Sequence, residues 1–116
     1  MHFKLIIAIV EDADTDEIVR AARAAGATGS TVLNQARGEG NATAKPAFGL
    51  DLGLGRDVVL LLVEEHLSRS ILEAVGRAGR FESTPGSGIA FQIDVEDAIG
   101  VITQERLLQS RVEAEL

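Results

Sequence analysis

Residues 58–63 read VVLLLV, six successive apolar positions with no polar side chain to turn toward water. A strand sends alternate side chains to opposite faces, so this run is expected to be a strand covered on both. Residues 3–10, FKLIIAIV, form a second short, β-branched apolar run, and the charged turn EDAD bounds it. The core is therefore built around a sheet. With four Phe and neither Tyr nor Trp, it must be filled by Val, Ile, Leu and Ala. A chain of 116 residues, 46% of them hydrophobic, supports one domain with one core and is not intrinsically disordered.

The segment DTDEIVRAARAAG predicts a helix. Asp14 is placed as its N-cap with Glu17 at capping-box spacing, Ile18, Ala21, Ala22 and Ala25 recur at helical spacing, and Gly26 supplies a left-handed stop. Residues 30–37, STVLNQAR, read as a second strand. Residues 38–56 are rich in glycine and carry a proline without any clean period; so long a connection is usually functional or mobile. Leu67, Ile71, Leu72 and Val75 then mark a second helix ending near Gly79. Residues 88–95, GIAFQIDV, alternate, with Ile89, Phe91, Ile93 and Val95 against Ala90, Gln92 and Asp94, which predicts a half-buried strand. Residues 104–116 form a tail that is either a last amphipathic helix or a frayed end.

Strand, helix, strand, long loop, strand, helix, strand is the α+β, ferredoxin-like βαββαβ plan, a four-stranded antiparallel sheet with both helices on one face. The other face would be bare. Because the strands are apolar on both sides, that face is expected to be covered by further copies of the chain, as homotrimers of this fold bury it with their sheets facing inward.

Little in the chain looks catalytic. A net charge of −7 argues against nucleic acid as a partner. No apolar run reaches the roughly 20 residues of a membrane span, and the N-terminus lacks the basic region and cleavage site of a signal peptide. The absence of Cys excludes disulfides and thiolate chemistry. A soluble, cytoplasmic protein is expected, without direct membrane insertion. His2 and His66 read as solvated or capping residues rather than bases. The cluster Glu11, Asp12, Asp14, Asp16 and Glu17 fails the calcium-loop spacing, and the favourable field at a helix N-terminus accounts for it better. No metal site is assigned. The serines lack a nucleophile-elbow context. An enzyme is not expected, and no cofactor is required.

Two glycine clusters remain, ARGEG at 36–40 and TPGSG at 84–88. Neither is a Walker A loop. In a ferredoxin-like sheet, Gly38 and Gly40 leave the second strand while Gly86, Ser87 and Gly88 lead into the fourth. Glycine there lets backbone N–H groups face an anion without an intervening Cβ. The clusters are either a phosphate cradle or simply turns.

The stretches AAGATGSTV, ARGEG and TPGSGIAFQIDVED, in this order, resemble the PII nitrogen-regulatory signalling proteins, and most closely their divergent PII-like branch. The resemblance runs from FKLIIAIV to about Thr103, within one expected domain of residues 1–103. It implies a cytoplasmic homotrimer that binds an adenine nucleotide between subunits (AMP, ADP, ATP or cyclic AMP) and regulates a transporter or metabolic enzyme through a loop at residues 38–56. Carried over by position, Ile9, Thr31 and Leu62 match the adenine pocket. Gly38 and Gly40 match the base of the loop, and Gly86 and Gly88 flank Ser87 in the phosphate-side turn. Arg37 is either a ligand contact or a solvated strand-end residue.

The departures are specific. A Lys of the phosphate-side turn is Ile89 here, two phosphate-binding Arg are Gly100 and Ile102, and a Gln that helps hold magnesium and 2-oxoglutarate is Ala42. Each charge-assisted hydrogen bond so lost is worth about 1.5–3 kcal/mol. The resemblance therefore implies weaker triphosphate binding, or a trimeric structural or interaction protein without a ligand. An acylphosphatase-like enzyme is disfavoured by the acidic loop after the first strand, and a metal-tolerance trimer by the lack of Cys and scarcity of His.

Overall fold

The computed structural model of the chain describes residues 2–36 and 55–101. The first strand, β1 (Phe3–Val10), leads through a single 3₁₀ turn (Asp12–Asp14) into helix α1 (Thr15–Ala24) and then strand β2 (Thr31–Ala36). Strand β3 (Arg56–Glu64) runs directly into helix α2 (Glu65–Ala78), and β4 (Gly88–Val95) follows. The sheet order is β2-β3-β1-β4 with every pairing antiparallel, the ferredoxin-like βαββαβ fold. The two most apolar runs, β1 and β3, take the centre, while β2 and β4 are the edges.

The period of two decides what is buried. Ile6, Ala8 and Val10 of β1 and Val59, Leu61 and Val63 of β3 point at the helices and are almost wholly buried. Ile18 and Ala22 of α1 and Ile71 and Val75 of α2 close over them. The alanines along α1 let it lie close on the sheet. A Cβ on Gly26, where φ is +118°, would meet Leu67 Cδ1 at 3.2 Å, so the stop after α1 also lets α2 pack beside it.

Two local expectations change, and α2 ends at Gly79 as expected. Asp14 stands at the N-cap of α1 without making a side-chain cap bond; its carboxylate instead accepts from Arg80 Nη2 at 3.3 Å. At the end of α2, Gly79 stays right-handed and Arg80 takes the left-handed conformation, φ +57°. Phe81 N–H then donates back to the Gly76 carbonyl. Strand β4 alternates as predicted, but its apolar residues face away from the helices. Phe91 pairs beside Ile7 and Ile93 beside Leu5, on the side that neither α1 nor α2 covers, leaving them 41% and 45% exposed among the described residues. Leu33 and Leu62 are exposed on that same face. The helices claim the even residues of β1, and register with β1 sends the odd residues of β4 to the opposite side.

Residues 38–54, most of the expected signalling loop, and the tail 104–116 lie outside the described residues, as do Arg37, Gly38 and Gly40.

Candidate functional site

The predicted site residues that are described fall into two groups. Thr31 and Leu62 line a cleft of about 630 Å³ with Gly29, Glu64, Leu67 and Gly100 around them. The cleft gathers the α1–β2 connection, the end of β3, the start of α2 and the segment after β4. It offers apolar walls, threonine and serine hydroxyls and one carboxylate, a set suited to a flat heterocycle with a few polar edges.

Ile9, Gly86, Ser87 and Gly88 lie toward the opposite end of the sheet. Leu62 is paired with Leu5, four residues before Ile9, a separation of about 14 Å along the strand. Ile9 and Leu62 share the bare face, whereas Gly88 is the partner of Val10 and its Cβ position points at Phe81 on the helix side. One chain therefore does not bring the two groups together.

The second group is built around a braced turn. Gly86 has φ +79°, the left-handed region where only glycine is unstrained. Ser87 is buried; its N–H donates to the Thr84 carbonyl at 3.1 Å and its hydroxyl to the Arg80 carbonyl at 3.0 Å. Both of its donors are thus spent inside the turn, and Ser87 acts as the brace. Gly88 is needed for another reason, because a Cβ there would lie 2.6 Å from the Ile9 carbonyl oxygen and collide with the Phe81 ring. Ile89, at the position of the missing lysine, pairs with Ile9 and adds only apolar surface.

Arg56 is the cation that sequence reasoning misses. Its neighbours in the chain group it with the preceding loop, yet it opens β3 and is 6% exposed. Its Nη1 donates to the Ser87 carbonyl at 3.3 Å and lies 3.8 Å from Glu11 Oε1. A buried guanidinium requires such partners, and it sets a positive charge directly behind the glycine turn. The one available signal is its place at the head of an apolar run. Asp57, next to it, is also buried; it accepts from the Thr15 hydroxyl at 2.7 Å and from the Gln35 backbone N–H at 3.1 Å. Among the described residues no helix is long and apolar enough to cross a membrane, and no group of three or more His, Cys, Asp or Glu side chains is placed to hold a metal.

Residues 3–105 match the family described as nitrogen regulatory protein P-II. The chain belongs to the P-II family. It is a P-II-family signalling protein, and solved structures agree on the fold. CPII from Thiomonas intermedia K12, in a structure bound to ADP, AMP and acetate, is 21% identical with a TM-score of 0.63, over 86% of this chain and 92% of that one. A PII-like signalling protein from Thermus thermophilus is 22% identical with a TM-score of 0.59, over 82% and 87%. No curated protein matches this P-II chain.

Proposed function

We propose that this protein is a PII-like regulatory homotrimer that binds an adenine nucleotide between subunits and signals to a partner through residues 38–56. The observation that carries this reading is the split site. Thr31 and Leu62 line one cleft and Ile9 and the Gly86–Gly88 turn stand further along the sheet, with an apolar face between them that no part of the described chain covers. Pressing that face against a second copy removes it from water and sets the cleft of one subunit against the glycine turn of the next.

In this arrangement the base occupies the Thr31–Leu62 cleft, while the phosphates meet Gly86, Gly88, Arg37, Gly38 and Gly40, with Ser87 bracing the turn. Arg56 supplies part of the positive charge missing at Ile89, Gly100 and Ile102, which favours AMP, ADP or cyclic AMP over ATP. The ADP and AMP bound to CPII support the choice of an adenine nucleotide. The P-II family is one of regulators rather than enzymes, so the partner is a transporter or metabolic enzyme met in the cytoplasm, with no part for nucleic acid.

The test is calorimetric titration of the purified protein with AMP, ADP, ATP and cyclic AMP, with and without magnesium and 2-oxoglutarate. Saturable binding of one nucleotide per subunit is expected. Silence from all four with the trimer intact would favour the second reading, a ligand-free structural or interaction trimer, for which the three uncharged positions speak.

A further inference from the structure

Asp57 is a buried carboxylate with no part in the contacts assigned to the nucleotide. Both of its oxygens are engaged, Oδ2 by the Thr15 hydroxyl and Oδ1 by the backbone N–H of Gln35. Thr15 begins α1, so the carboxylate ties the start of that helix to the end of β2. Gln35 has φ +55°, a left-handed conformation that is unfavourable for a residue with a Cβ. It lies where the β2–β3 register shifts between Leu33 and Ala36. A bulge of this kind re-aims the strand that carries it. Beyond it Ala36 is the Cα partner of Arg56, whose side chain reaches the Ser87 carbonyl. Thr15, Asp57, Gln35, Arg56 and Ser87 therefore form one continuous set of contacts from α1 to the glycine turn.

We propose that Asp57 is a positioning residue that holds Gln35 in its left-handed conformation and thereby fixes the point where the chain leaves β2 beside Arg56 and the glycine turn. Charge on Asp57 matters because an ionised oxygen is a strong acceptor for a single backbone N–H. The side chain of Gln35 is exposed, so its identity contributes through backbone conformation rather than packing. The consequence for ligand affinity rests on reading the glycine turn as the phosphate end of a nucleotide site; the hold on Gln35 does not.

The full chain is compared as wild type, Asp57→Ala, Asp57→Ala with Gln35→Gly, and Gln35→Val. Each is measured for amide hydrogen exchange in residues 32–36, melting temperature and ADP affinity. Asp57→Ala is expected to speed exchange at residues 34–36 and weaken ADP binding roughly tenfold. Adding Gln35→Gly should restore ADP affinity and slow exchange at Ala36, since glycine adopts a positive φ without strain. The residue-35 amide, its acceptor gone, stays fast, and the melting temperature stays lowered by the lost Thr15 contact. Gln35→Val, which leaves Asp57 intact, should reproduce the faster exchange and weaker binding. The proposal is overturned if glycine at position 35 rescues neither exchange nor affinity, or if Gln35→Val exchanges like the wild type. Should Asp57→Ala fail to fold, the valine variant decides alone. A wild type that binds none of AMP, ADP, ATP and cyclic AMP refutes the nucleotide reading, and the exchange measurements still decide the role of Asp57.

Discussion

Gly88 and Ile9 are backbone neighbours across β4 and β1 so close that a Cβ on residue 88 would stand 2.6 Å from the Ile9 carbonyl oxygen. The obstructing atom is main chain in a central strand and cannot swing aside. Gly88→Ala is therefore expected to cost about 1–3 kcal/mol by overpacking, read as a lower denaturation midpoint in urea. A midpoint within error of the wild type would mean that β4 can shift away from β1 at this point.

Gly86 makes a different demand. Its φ of +79° lies in the half-buried turn that leads into β4, and a β-branched residue there costs about 1–2 kcal/mol in backbone strain. Gly86→Val should still unfold cooperatively but lose calorimetric nucleotide binding. An affinity equal to the wild type would show that the turn is not a cradle.

The bare face predicts an assembly. Phe91, Ile93, Leu33 and Leu62 are exposed on the side away from the helices, and none belongs to the core cluster. The wild type should sediment as a trimer, and Phe91→Glu or Ile93→Glu should sediment as a folded monomer with unchanged helix content. A monomeric wild type would remove the basis for a site shared between subunits.

Asp94 carries an acid-sensitive contribution. Hydrogen bonds from His2 and then Lys4 hold its carboxyl below the ordinary value of 3.8, burial opposing them only in part. A carboxylate whose pKa is depressed by folding adds stability above its unfolded pKa, and that stability is lost as pH falls through the folded value. Asp94→Asn should accordingly flatten the loss of stability below about pH 4 while leaving the core untouched. His2→Ala should move the Asp94 carboxyl resonance to titrate at higher pH. An unchanged titration would show that the His2 contact is not populated in solution.

Much of the fold was legible because it depends on local patterns. The runs at 3–10 and 58–63, the helical spacing of Ile18 and Ala22 and of Ile71 and Val75, and the alternation of 88–95 each follow from a periodicity that neighbouring residues impose. Their order then led to one antiparallel arrangement. The P-II resemblance likewise rested on short stretches whose order along the chain could be read directly, and the family match over residues 3–105 agrees with it.

Other features depend on which segments meet. Alternation in β4 says that one face is apolar, but only its register with β1 determines that this face is the uncovered one. Glycine at 88 reads as a turn or a cradle until the Ile9 carbonyl is placed against it. Arg56 and Asp57 look like charged residues leading into a strand; they are buried because Ser87, Thr15 and Gln35, all distant along the chain, close around them. The sequence by itself determined the elements and their order, since hydrophobic periodicity acts between residues a few positions apart. Tertiary structure alone decided which face stays open, why Gly88 must be glycine and where two buried charges find their partners, because those outcomes depend on contacts between residues far apart in the chain.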